Sequence, residues 1–143
     1  MNFNDDKILI TYIKSSPIPG SVDILTINSL NEAIIHEFCF DIPSGDVPTF
    51  FKFIPAFIKR EVKAVILQLS EFQHPEFTNN IQLRIMISKE YEKHGIKYCF
   101  IDSVSFLLTQ ILVAANLDLK MGESLLIATA GEDIVVGYDL TKS

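Results

Sequence analysis

KAVILQLSEFQHPEFTNNIQLRIMISKEYEKHGIKYCFI, residues 63–101, is the stretch on which the fold turns. It opens on an apolar run, residues 64–72 (AVILQLSEF), of the kind found in a central strand covered on both faces. His74-Pro75 breaks that run, and Asn79 or Asn80 can cap a helix extending to about His94. Leu83, Met86, Ile87 and Tyr91 form the expected buried face of this helix, beside a stripe of Ile81, Ile85, Ser88 and Glu92. Gly95 is a natural stop, and Lys93 and His94 before it suit the negative end of a helix. Residues 96–101 (IKYCFI) then read as a second strand. Strand, helix and strand at this spacing predict a parallel βα unit.

Upstream, residues 7–14 (KILITYIK), 22–28 (VDILTIN) and 32–42 (EAIIHEFCFDI) read as three strands. The turns between them are SSPIPG (residues 15–20) and SLN (residues 29–31), which predicts an antiparallel meander. Asp46 and Pro48 mark a helix start, and Phe50, Phe51, Ile54, Phe57 and Ile58 make its apolar stripe. Pro55 conflicts with that helix, because it removes a bond to the Phe51 carbonyl and is expected to kink or shorten it. Downstream, Asp102 or Ser103 caps a helix over residues 104–117 that is apolar nearly all round. Residues 124–130 and 133–140 form a terminal hairpin about Gly131-Glu132. The order is βββ-α-β-α-β-α-ββ, within one α/β domain spanning residues 1–143.

Composition narrows the function classes. The chain has 143 residues, 48% of them hydrophobic, and a mean hydropathy of +0.29, too apolar for disorder and enough for a real core. A net charge of −6 and a pI near 4.9 disfavour phosphate backbones and anionic lipid. The densest basic run lies between Lys52 and Lys63 and reads as a solvated helix end. Cys39 and Cys99 sit in apolar runs and are expected to be small buried hydrophobes in a reducing compartment. No apolar run approaches the roughly 20 residues of a membrane span. The start, MNFNDD, has the wrong character for a signal peptide, so a cytoplasmic location is expected.

Three antiparallel strands followed by parallel βα units are the ribonuclease H-like arrangement, and the segment 64–140 resembles one lobe of the actin-like and Hsp70-like ATPases. Ala64-Val65-Ile66 resembles the strand before the "P-A-x-F" turn of Hsp70 proteins, although Leu69-Ser70-Glu71-Phe72 lacks the proline. Tyr91-Glu92-Lys93-His94-Gly95-Ile96 resembles the end of the next helix. Ile101-Asp102-Ser103-Val104-Ser105-Phe106-Leu107 falls where that family carries "I-N-E-P-T-A-A". Gly122-Glu123-Ser124-Leu125-Leu126-Ile127 leads to what corresponds to the phosphate loop "D-L-G-G-G-T". Here that loop reads Ile127-Ala128-Thr129-Ala130-Gly131-Glu132-Asp133. The "D-x-G-T" hairpin of the family corresponds to Ile10-Thr11-Tyr12-Ile13-Lys14-Ser15-Ser16, which has neither the acid nor the glycine. Glycine is needed where backbone N–H groups approach phosphate oxygens. Glu132 and Asp133 bring negative charge to the place of the phosphates, where like charges about 4 Å apart repel by about 1 kcal/mol even in water.

The remaining chemistry is sparse. Ribonuclease H-like nucleases need carboxylates around two metals, one of them on the first strand. The first strand here has none in its body, and Asp5 and Asp6 precede it. Glu71 and Asp102 lie at the ends of two adjacent parallel strands, where α/β folds place ligands, and are the best pair available. As structural residues they are a solvated strand end and a helix cap. His36, His74 and His94 are scattered, and no zinc spacing, nucleophile elbow, P-loop or dinucleotide motif occurs. A Cys99–His94 pair is weighed against an inert core thiol, and Phe50, Phe51, Phe53 and Phe57 as a stacking platform against core packing.

Three readings remain open. The first is a non-catalytic association domain or pseudoenzyme, without cofactor or membrane span, that binds a protein partner or a second copy and no nucleic acid. Its interface candidates are Phe106, Leu107 and Ile111 on the apolar helix and Val135 and Tyr138 on the hairpin. Another is a subunit of the small-GTPase-regulator or trafficking-adaptor type, in which an α/β scaffold serves only as a surface and which the sequence does not separate from the first. The alternative is an ATPase- or nuclease-type enzyme using ATP and Mg²⁺, with Glu71, Asp102, Gly131, Glu132 and Asp133 at the site.

Overall fold

In the computed structural model the description covers residues 8–42, 45–116, 120–130 and 135–142, without the side chains of Phe57 and Thr129. The chain divides into two compact units, Met1–Asp102 and Ser103–Ser143.

The first unit contains β1 (Leu9–Ser15), β2 (Ser21–Asn28), β3 (Ile34–Asp41), α1 (Val47–Ile58), β4 (Val62–Gln68), α2 (Asn80–Lys93) and β5 (Lys97–Phe100). They form one mixed sheet in the order β3-β2-β1-β4-β5. β1 runs antiparallel to β2, and β2 to β3. β4 runs parallel to both β1 and β5. The predicted meander followed by parallel βα units is therefore the architecture observed.

Strand alternation sorts the side chains. Ile13, Val22, Val65 and Leu67 lie on the face covered by α1 and α2, together with Phe51 and Ile54 of α1 and Leu83, Ile87 and Tyr91 of α2. The buried face predicted for α2 is the one observed, with Met86 at its margin. Asn79 caps α2 by accepting the N–H groups of Ile81 and Gln82 at 3.0 and 3.1 Å. Gly95, at φ +65°, ends it: the Gly95 N–H reaches Glu92 O and the Ile96 N–H reaches Tyr91 O, both at 3.0 Å.

Three expectations are corrected. Asp46 makes no side-chain cap; its carbonyl accepts the Phe50 N–H at 2.8 Å, and Pro48 supplies the start of α1. Pro55 does not end α1, which runs on to Ile58 with the proline ring fully buried. Cys39 and Cys99 are both exposed rather than core residues. Each falls on the strand face opposite α1 and α2, a consequence of register that an apolar run cannot disclose.

Tyr91 is fully enclosed, and among the described residues its hydroxyl has no hydrogen-bond partner. Burial pushes its phenol well above the ordinary value. Tyr91→Phe is therefore expected to stabilise the fold by about 1 kcal/mol at neutral pH, read as a higher urea midpoint. The raised folded pKa also fixes the alkaline behaviour. Below pH 10 the phenol is protonated in both states. Above it the unfolded chain releases the proton first, so stability falls by up to about 1.4 kcal/mol per pH unit. Tyr91→Phe is expected to remove most of that alkaline slope; partial burial of Tyr12 raises its phenol too and leaves a smaller remainder.

The second unit holds α3 (Ser103–Ala114) and the antiparallel hairpin β6 (Ser124–Ala130) and β7 (Val135–Thr141). The terminal hairpin is thus present as expected, with Ile127 opposite Tyr138. No helix among the described residues is long and apolar enough to cross a membrane.

Candidate functional site

The carboxyl ends of β1, β4 and β5 are where parallel strands of an α/β sheet place ligands. β4 ends at Gln68; Leu69 remains buried, and a turn closed by Phe72 N–H to Leu69 O (3.2 Å) carries Glu71 outward into solvent. On β5 the pairing continues one residue past Phe100, through Ile101 N–H to Leu67 O at 2.9 Å. Asp102 follows at once and is exposed. The two carboxylates predicted as a pair therefore lie at the same ends of neighbouring strands, and both have interaction partners.

The first strand contributes no third acid. Thr11 and Ile13 point into the covered face, where Thr11 is 1% exposed and its hydroxyl meets that of Thr26 at 3.0 Å. Tyr12 and Lys14 occupy the opposite face; the Tyr12 hydroxyl donates to Gln68 Oε1, and Lys14 pairs with Asp23 at 3.7 Å. Among the described residues no group of three His, Cys, Asp or Glu side chains could hold a metal ion. Gly131, Glu132 and Asp133 lie outside the described residues, as do Asp5 and Asp6.

Beside this end of the sheet is a cleft of about 610 Å³ lined by Phe72, His74, Asn79, Asn80 and Leu83. His74 is only 8% exposed, stacks on Phe72 at 6.2 Å, and accepts the Glu76 N–H at Nδ1 over 3.4 Å. Asn80 donates through Nδ2 to the Ser70 carbonyl, and among the described residues its buried Oδ1 has no partner. Sequence reading left His74 as an isolated turn histidine; its neighbour Pro75 gave no sign of burial. The Cys99–His94 pair has no support in the geometry, since Cys99 stands exposed on β5 and His94 caps the end of α2.

A second recess is apolar. A cavity of about 500 Å³ lies between α1 and the meander, walled by Ile24, Phe38, Phe40, Phe50, Phe53 and Ile58. The four phenylalanines weighed as a stacking platform against core packing take different places. Phe51 is core, Phe50 is half-buried at the cavity, Phe53 is exposed, and the side chain of Phe57 lies outside the description. In the second unit, Leu107 and Val135 are exposed and Phe106, Ile111 and Tyr138 half-buried. Leu108, 9% exposed, is the one buried α3 side chain among the described residues, which leaves the rest of this apolar helix open to a partner.

No family model matches the chain, and no curated protein does. A solved structure of T. thermophilus RuvC in complex with a Holliday junction substrate is similar in fold. The TM-score is 0.51 at 12% sequence identity, over 76% of this chain and 72% of that one. The fold is thus ribonuclease H-like: a mixed five-stranded sheet with a C-terminal hairpin.

Proposed function

We propose that this chain is a non-catalytic association domain built on a ribonuclease H-like scaffold, related to a lobe of the actin-like and Hsp70-like ATPases whose phosphate loops have eroded. The observation that carries this reading is the centre of β1. There a buried hydroxyl pair, Thr11 with Thr26, and the fully buried Ile13 belong to a first strand without any carboxylate, a group that metal-dependent members of such folds need on that strand. A net charge of −6 supports a protein partner over a polyphosphate one. So do the exposed apolar side chains of β3, α3 and the hairpin.

A metal-dependent nuclease is the second reading, favoured by the shared strand-end position of Glu71 and Asp102 and by the fold neighbour bound to a Holliday junction. Calorimetric titration with Mn²⁺, combined with a cleavage assay on branched DNA, separates the two. A non-catalytic domain gives neither binding heat nor cleavage. Saturable Mn²⁺ binding with cleavage, both lost in Glu71→Ala or Asp102→Ala, overturns the proposal.

A further inference from the structure

The outer edge of the meander is unusually well suited to pairing. β3 bonds to β2 on one side, and among the described residues no strand bonds to its other side. All eight of its residues, IIHEFCFD, are exposed, with Phe38 half exposed at 50%. Edge strands that must stay single carry lysine, proline or a bulge, or are very short. β3 has neither lysine nor proline, and the register irregularity falls beside Ile34, leaving 36–41 regular. On one face His36, Phe38 and Phe40 form a ladder with ring centroids 5.7 and 5.8 Å apart, which continues to Phe50 at 5.7 Å.

We propose that β3 pairs antiparallel with β3 of a second copy of this chain, about a two-fold axis at Phe38. This deepens the association reading and rests on it. Such an axis, perpendicular to the sheet, keeps each side chain on its own face, so the axis must coincide with a residue. Charge selects which one. An axis at Glu37 sets Glu37 against Glu37, and an axis at Cys39 sets Glu37 against Asp41; both are like-charge pairs. An axis at Phe38 sets Phe38 against itself, His36 against Phe40 and Glu37 against Cys39, and leaves Asp41 beside the irregular Ile35. The regular stretch 36–40 then overlaps with no like charges opposed, and the two aromatic ladders join into one.

Sedimentation velocity on the full chain, from low to high micromolar concentration, is expected to show a reversible dimer. Phe38→Lys, which opposes two ammonium groups at the axis, is expected to weaken it by about tenfold or more while the thermal midpoint of the diluted protein stays unchanged. The register is read separately. In a Cys99→Ser background, adding Glu37→Cys and oxidising mildly is expected to give a covalent dimer through Cys39 of the second copy, and Cys99→Ser alone to give none. A monomer at high micromolar concentration overturns the pairing, as does a dimer that Glu37→Cys fails to cross-link or one that cross-links through Cys39 alone. Those results leave the non-catalytic reading untouched, since the Mn²⁺ titration judges it independently.

Discussion

Phe51→Ala is expected to cost about 3–5 kcal/mol of folding free energy, the range for removing a buried aromatic ring from a packed core. Phe51 is 0% exposed and meets Phe50 and Phe72 edge-on, with centroids 5.4 and 5.8 Å away. It is the point where α1 locks onto the sheet and onto the segment that follows β4. A domain of this size has about 5–15 kcal/mol in total, so the variant loses a large share of its stability. Urea denaturation followed by far-ultraviolet circular dichroism measures this. Phe53→Ala, two residues away and 63% exposed, is expected to change stability by about 0.5 kcal/mol or less. Equal losses at the two positions would mean that α1 is rotated from the orientation described here.

Thr11→Asp is expected to destabilise the fold by about 3 kcal/mol or more at neutral pH. The substitution gives the first strand the carboxylate it lacks, but at a site 1% exposed where the Thr11 hydroxyl meets that of Thr26. The cavity it faces is lined by Glu61 and His36 as its titratable groups, with no lysine or arginine among them. Burial favours the neutral acid, so the folded-state pKa of the new carboxyl lies above the unfolded value near 3.9. The loss is therefore smallest below about pH 4 and grows as pH rises towards the folded pKa. Urea midpoints across that window give the sign directly. A variant as stable as the parent at neutral pH, and further stabilised by Mg²⁺, would mean that the centre of the sheet is a latent metal site.

The element order was legible because each segment carries its own period: residues 64–72 have no polar interruption before Gln68, and Leu83, Ile87 and Tyr91 return every four residues. Local chemistry fixed the end of α2, where Gly95 needs its positive φ, and its start, where Asn79 caps. What stayed hidden depends on register and neighbours. Phe38-Cys39-Phe40 reads as a buried run, yet β3 is the outer strand of the meander and all three side chains are exposed. Asp46 has the right chemistry for a cap but an αR backbone, φ −107° and ψ −7°, instead of the extended one a cap adopts. Pro55 breaks one helix bond, but the buried ring recovers enough packing for α1 to continue. For the site, the positions of Glu71 and Asp102 followed from strand order alone, whereas the burial of His74 required the turn after β4 to fold back next to Gly20, where an added Cβ would lie 3.8 Å from the imidazole.

Thermal melting of the full chain with and without ATP·Mg²⁺, taken to millimolar ligand, tests most directly whether this ribonuclease H-like domain has lost its chemistry. An eroded scaffold melts at the same midpoint under both conditions. A midpoint that climbs with ligand towards the stabilisation of about 2.7 kcal/mol given by a hundredfold excess over Kd, and that falls back in Glu71→Ala or Asp102→Ala, would contradict it.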